Sequence, residues 1–67
     1  MREWLKQKRK EAGLTCREMS ERMEISEPYY WRIETGDRQS PMDLGIAVKV
    51  AEALNLDPMQ VIRWEIS

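Results

Sequence analysis

Sixty-seven residues, 42% hydrophobic and 34% charged, make one small globular domain over residues 1–67, and a single core of this size covers only about 60% of the unfolded surface, so a deep pocket is excluded. With no histidine and one cysteine, the chain lacks the usual general base, the usual metal ligand and any internal disulfide; no enzyme activity, cofactor or metal site is expected. A signal peptide and an apolar run of membrane-spanning length are both missing, which points to a reduced cytoplasmic setting away from membranes, and the net charge of −1 conceals +1 over residues 1–39 (nine Lys/Arg against eight Asp/Glu) and −2 over residues 40–67 (two against four).

In chain order, residues 2–12 read as a helix that ends where Gly13 allows a left-handed turn. "TCRE" is a capping box: Thr15 accepts from the backbone three residues on while Glu18 reaches back, and Met19 and Met23 follow at helical spacing, giving a helix over about 16–23. Ser26 caps a third helix over about 27–35, with Glu27 and Pro28 in its first turn and Gly36 at its end. "SPMD" offers caps at Ser40 and Asp43 for a fourth helix with an apolar stripe at Leu44, Ala47, Val48, Ala51 and Leu54. Asp57 caps a fifth, with Pro58 at its first position and Val61, Ile62 and Trp64 to bury. The fold class is all-α, five short helices.

Two charges sit on apolar stripes. Arg9 shares a face with Leu5 and Ala12, and Glu34 lies beside Ile33 and four residues after Tyr30. A charge turned to a core requires a partner. Either the two pair and tie helix 1 to helix 3, or both lie at the edge and are solvated.

The capping box, the two Met positions, the three-residue turn and the Ile33-Glu34-x-Gly36 spacing together resemble the phage repressor and Cro type of helix-turn-helix regulator, the Xre family, over about residues 3–62. "MREWLKQKRKEAGLT" and "YYWRIETGDR" look like a subgroup common among small phage-derived bacterial regulators. The resemblance implies a compact five-helix repressor-like domain whose second motif helix enters the major groove of duplex DNA; this family is itself the standard example of that docking. It also implies that Arg9 and Glu34 form a structural ion pair. Where the family usually has Gln, this chain has Cys16, and where it has Gly in the turn, this chain has Glu24, which must then adopt a left-handed conformation at a cost of about 1 kcal/mol.

On a helical wheel Tyr30 and Ile33 face the core while Pro28, Trp31, Arg32 and Thr35 face away, with Glu27 and Tyr29 flanking. The resemblance implies that Glu27, Pro28 and Arg32 reach base edges, and with outward-facing Trp31 they are the base-facing candidates. Arg32 suits guanine O6 and N7, Glu27 suits cytosine N4, and Pro28 or an aromatic edge suits a thymine methyl. Each has a plainer alternative: a solvated Arg32, a Glu27 that stabilises its own helix N-terminus, a Trp31 packed on a neighbouring helix or subunit. By the same resemblance, phosphate contacts are expected at Cys16, Arg38 and Gln39, joined by Arg17 and Tyr29. The "KQKRK" run of helix 1 reads as a solvated face. A thiol at a helix N-terminus can have a lowered pKa, which leaves an oxidation switch at Cys16 open.

The expected partner is a double-stranded DNA operator, bound by a homodimer formed through Met59, Ile62, Trp64 and Ile66, or else those residues pack on the domain's own core. The alternative function is a protein-interaction module on the same scaffold, using exposed Tyr29 and Trp31.

Overall fold

The computed structural model describes residues 1–36 and 42–66. Five helices follow in the order α1 (Glu3–Glu11), α2 (Cys16–Met23), α3 (Glu27–Thr35), α4 (Leu44–Leu54) and α5 (Pro58–Ile66), with no strand among the described residues.

Side-chain caps set most of the boundaries. Thr15 Oγ1 accepts from the Glu18 N–H at 3.1 Å and Glu18 Oε1 accepts from the Thr15 N–H at 3.0 Å, so the capping box at α2 is complete. Those bonds favour the charged carboxylate and hold the Glu18 pKa below its ordinary value, the Thr15 backbone N–H being the main cause. Ser26 Oγ accepts from the Tyr29 N–H at 3.2 Å at the start of α3. Asp43 caps α4 through the Ile46 N–H at 2.7 Å, and Ser40 lies outside the described residues. Asp57 Oδ1 accepts from the Met59 N–H at 3.0 Å in the first turn of α5. Gly13, at φ 72°, turns the chain out of α1.

The core is built from Leu5, Leu14, Met19, Met23, Tyr30, Ile33, Ala47, Val50, Ala51 and Val61. Two details differ from the sequence expectation. The buried stripe of α4 runs through Ala47, Val50 and Ala51, with Val48 half-buried, while Leu44, in the first turn, is 67% exposed. Packing of α4 against both α2 and α5 rotates the covered face toward Val50 and Ala53 and leaves the start of the helix outside. Trp64 is half-buried: its ring lies 5.7 Å from that of Trp4 and the Lys8 ammonium stands 4.9 Å from its centroid, so a cation–π contact covers what the core does not.

α1, Glu3–Glu11, is one residue shorter at each end than the expected 2–12, and Arg2, at its N-cap, is buried. Arg2 Nε donates to both Glu65 oxygens (3.0 and 2.8 Å), its Nη1 to the Ile33 carbonyl at 2.6 Å, and its backbone N–H to the Glu34 carbonyl at 2.8 Å. Glu65 in turn accepts from the Met42 N–H at 3.0 Å. This buried hub joins the N-terminus, the end of α3, the start of α4 and the end of α5.

Candidate nucleic-acid interface

α2 and α3 are separated by residues 24–26 alone. Glu24 supplies the reversal at φ 57° and ψ 42°, its N–H donating to the Glu21 carbonyl at 3.2 Å, and the Ile25 N–H donates to the Ser20 carbonyl at 3.0 Å. Glu24 therefore occupies the left-handed conformation that a glycine adopts without cost. Ser20 is buried, and its Oγ is satisfied within α2 by donating to the Arg17 carbonyl at 2.7 Å.

The rotation of α3 about its own axis decides which side chains reach outward, and a buried cluster sets it. Arg9 Nε and Nη2 donate to Glu34 Oε2 and Oε1, both at 3.1 Å, and Arg9 Nη1 donates to the Leu14 carbonyl at 2.9 Å. The Glu34 hydrogen bond, opposed by burial, raises the Arg9 pKa further above its ordinary value. The Cys16 thiol donates to Glu34 Oε2 at 3.8 Å. Burial first, and the Glu34 carboxylate next, push the Cys16 pKa up. That is the opposite of the lowering that a helix N-terminus favours, and it disfavours the thiolate an oxidation switch needs. The Tyr30 hydroxyl lies close enough to Glu34 that burial and the carboxylate hold its proton on, yet it meets no acceptor in hydrogen-bond geometry among the described residues.

With Tyr30, Ile33 and Glu34 turned inward, Glu27, Pro28, Tyr29, Trp31 and Arg32 are all exposed. Trp31 is 52% exposed and sits with Cys16, Glu27 and Pro28 around a groove between the start of α2 and the first turns of α3. Cys16 is thus brought together with three of the base-facing candidates. Arg17, exposed on the next position of α2, pairs with Glu21 at 3.3 Å along the helix. Arg22 is drawn elsewhere, its Nη1 donating to the Ala53 carbonyl at 3.0 Å near the end of α4. Arg38 and Gln39 lie outside the described residues. At Gly36 a Cβ would stand 2.6 Å from the Arg32 carbonyl oxygen, so only glycine lets the chain leave α3 this closely.

Sequence reasoning missed Arg2 and Glu65, which brace the far end of α3. Nothing local signals a pair 63 residues apart, one member of which precedes the first helix.

The helix-turn-helix domain family matches over residues 2–64. The chain belongs to that family, in its Xre-like form. This helix-turn-helix protein is 37% identical over 57 residues, 85% of its length and 72% of the other's, to the uncharacterized HTH-type transcriptional regulator YqaF of Bacillus subtilis (strain 168). No solved structure gives a significant match. Among its described residues, no helix is long and apolar enough to cross a membrane.

Proposed function

We propose that this helix-turn-helix protein is a sequence-specific duplex-DNA-binding transcriptional regulator of the cytoplasm, without catalytic activity or cofactor, and that it represses by occupying its operator. One observation carries the reading: with Glu34 paired to Arg9 and Tyr30 buried, Glu27, Pro28, Trp31 and Arg32 are all exposed on α3, the first three of them beside Cys16 at the start of α2. Arg32 donates to guanine, Glu27 accepts from a base amino group, and Arg17, Tyr29 and first-turn backbone N–H groups of α2 hold phosphates. The Arg17–Glu21 pair is solvent-screened and gives way readily to a phosphate. Arg38 and Gln39 extend the phosphate contacts by family resemblance.

One module reads few base pairs, so the operator is palindromic and the protein binds it as a homodimer. Of the four residues expected to form that contact, Trp64 is taken up by Trp4 and Lys8, and Ile62 packs partly on the core. Exposed Met59 and Ile66 remain, and Ile66 lines, with exposed Leu44, a largely apolar groove that Met42, Ala47 and Ile62 also line.

Selection on randomised duplex DNA tests the reading: a recurrent palindrome, bound with an affinity that falls linearly in the logarithm of salt concentration, is expected. A chain that retains no duplex from the pool serves a protein partner instead, a role for which exposed Tyr29 and Trp31 would be the contact residues.

A further inference from the structure

We propose that Arg2 is a positioning residue for the reading of DNA by α3: held by Glu65, it caps the C-terminal end of α3 from outside the motif and fixes the turn that carries Arg32. The inference rests on the DNA reading above and adds to it a determinant of specificity that touches no base.

The first four helices end in two ways. After α1, α2 and α4 the chain turns back through a left-handed residue, Gly13 at φ 72° and Glu24 and Asn55 at φ 57°, so that the backbone N–H groups that follow return to the last carbonyls. Gly36, after α3, is instead extended at φ −64° and ψ 159°. The last four carbonyls of a helix have no partner within it. At α3, Arg2 meets two of these: its backbone N–H donates to the Glu34 carbonyl at 2.8 Å and its Nη1 to the Ile33 carbonyl at 2.6 Å.

Charge and shape both suit Arg2 to this place. A cation at a helix C-terminus meets the negative end of the helix dipole. The forked guanidinium lets Nη1 face α3 while Nε donates to both Glu65 oxygens at 3.0 and 2.8 Å, a division that a single ammonium group does not reproduce. A Cβ at Gly36 would stand 3.5 Å from Nη1, so the guanidinium lies against the point where α3 ends. Arg2 is only 3% exposed, which keeps it from bases and phosphates. Glu65, on α5, also accepts from the Met42 N–H and ties the cap to the residue before the α4 cap. Arg9 and Glu34 set the rotation of α3; Arg2 sets where its last turn lies. Arg32 stands in that turn, and a bidentate contact with guanine tolerates little displacement.

The test uses the full chain on duplexes with a single half-site, so that self-association through the groove that Glu65 also lines does not enter. Dissociation constants for the selected half-site and for a scrambled duplex are measured at several salt concentrations, below the unfolding midpoint of each variant. Arg2→Lys keeps the cation and loses the fork, and Arg2→Met with Glu65→Gln removes the cap and leaves no charge of the pair unpartnered. In both, the preference for the half-site falls by about fivefold or more, within the range of one bidentate base contact, and the loss concentrates at the base pair that Arg32→Ala flattens. The scrambled duplex is bound within about twofold of the parent and the salt slope is unchanged, because Arg2 meets no phosphate. If the double variant does not fold, Arg2→Lys decides alone. Folded variants that keep the parent's preference overturn the proposal and leave the DNA reading intact, Arg2 then serving stability only. A preference lost at base pairs that Arg32→Ala leaves unchanged, or a salt slope lowered by about one, overturns it as well. Failure of the parent to select any operator removes both readings.

Discussion

Arg9 and Glu34, 25 residues apart in sequence, are joined by two parallel hydrogen bonds of 3.1 Å, and the Glu34 side chain has no exposure to solvent. A bidentate pair of this kind fixes direction as well as distance. It pins α3 to α1 one turn from the helix's outward face. Removing one partner leaves the other charge buried, which typically costs about 3–5 kcal/mol, whereas replacing both by apolar groups of similar size costs much less. Glu34→Gln is therefore expected to lower the stability severely and Arg9→Met with Glu34→Leu to recover most of the loss. Urea unfolding of the two variants beside the parent decides it; equal stability of all three would show that the pair does not hold α3.

Stability is also expected to fall in alkali for a reason seated in the same cluster. In the unfolded chain Cys16 loses its proton near its ordinary 9.0 and Tyr30 near 10.0, whereas in the folded chain both pKa values are raised. Below pH 9 both groups are protonated in either state and their contribution is fully present. As pH rises past those values the unfolded state binds fewer protons and is favoured. From buried Tyr30 the limiting slope is about 1.4 kcal/mol per pH unit. Denaturant unfolding between pH 7 and 11 should show this decline, a smaller one in Tyr30→Phe above pH 10, and a later onset in Cys16→Ser. A parent protein as stable at pH 11 as at pH 8 would contradict the assignment.

Glu24 carries a local cost that can be removed. A left-handed φ of 57° costs a residue with a side chain about 1–2 kcal/mol, and glycine gives back about 0.5–1 kcal/mol of this through its freer unfolded chain. Glu24→Gly should raise stability by several tenths of a kcal/mol to about 1 kcal/mol, and Glu24→Val, β-branched at a positive φ, should lower it. Thermal unfolding reads both; a loss of stability in Glu24→Gly would mean that the Glu24 side chain contributes more than the backbone loses.

The helices of the motif were legible because their signals are local. Thr15 with Glu18, and Ser26 with the Pro28 turn, carry their own hydrogen-bond logic within four residues. Periodicity placed Tyr30 and Ile33 inward and Trp31 and Arg32 outward for the same reason. What the sequence could not indicate depends on distant partners. Arg2 reads as a solvated terminal charge until Glu65 and the Ile33 carbonyl are beside it. Leu44 fits an apolar stripe, yet the face of α4 that is covered is chosen by α2 and α5 together. The groove at Cys16 and Trp31 arises from two helices meeting, so neither helix alone announces it.

The self-association surface is expected to lie at Leu44 and Ile66, 67% and 78% exposed and both lining one largely apolar groove. A charge placed there desolvates poorly in any dimer. Ile66→Asp should weaken operator binding and abolish its dependence on two half-sites, while a single half-site is bound as by the parent. Sedimentation of the parent on operator DNA as one chain per palindrome, at all concentrations, would remove the dimer.

The most direct measurement compares Arg32→Ala with Arg17→Ala on randomised duplex DNA at several salt concentrations. Arg32 projects from α3 and is expected to read guanine, a contact worth about 1–3 kcal/mol of discrimination, so its loss should flatten the preference at one base pair of each half-site. Arg17, exposed at the start of α2, should position the protein without reading sequence. Its loss should weaken all duplexes alike and reduce the salt slope by about one per subunit, with preferences unchanged. An Arg32→Ala protein that keeps the parent's relative preferences at every position would contradict the reading of DNA by α3.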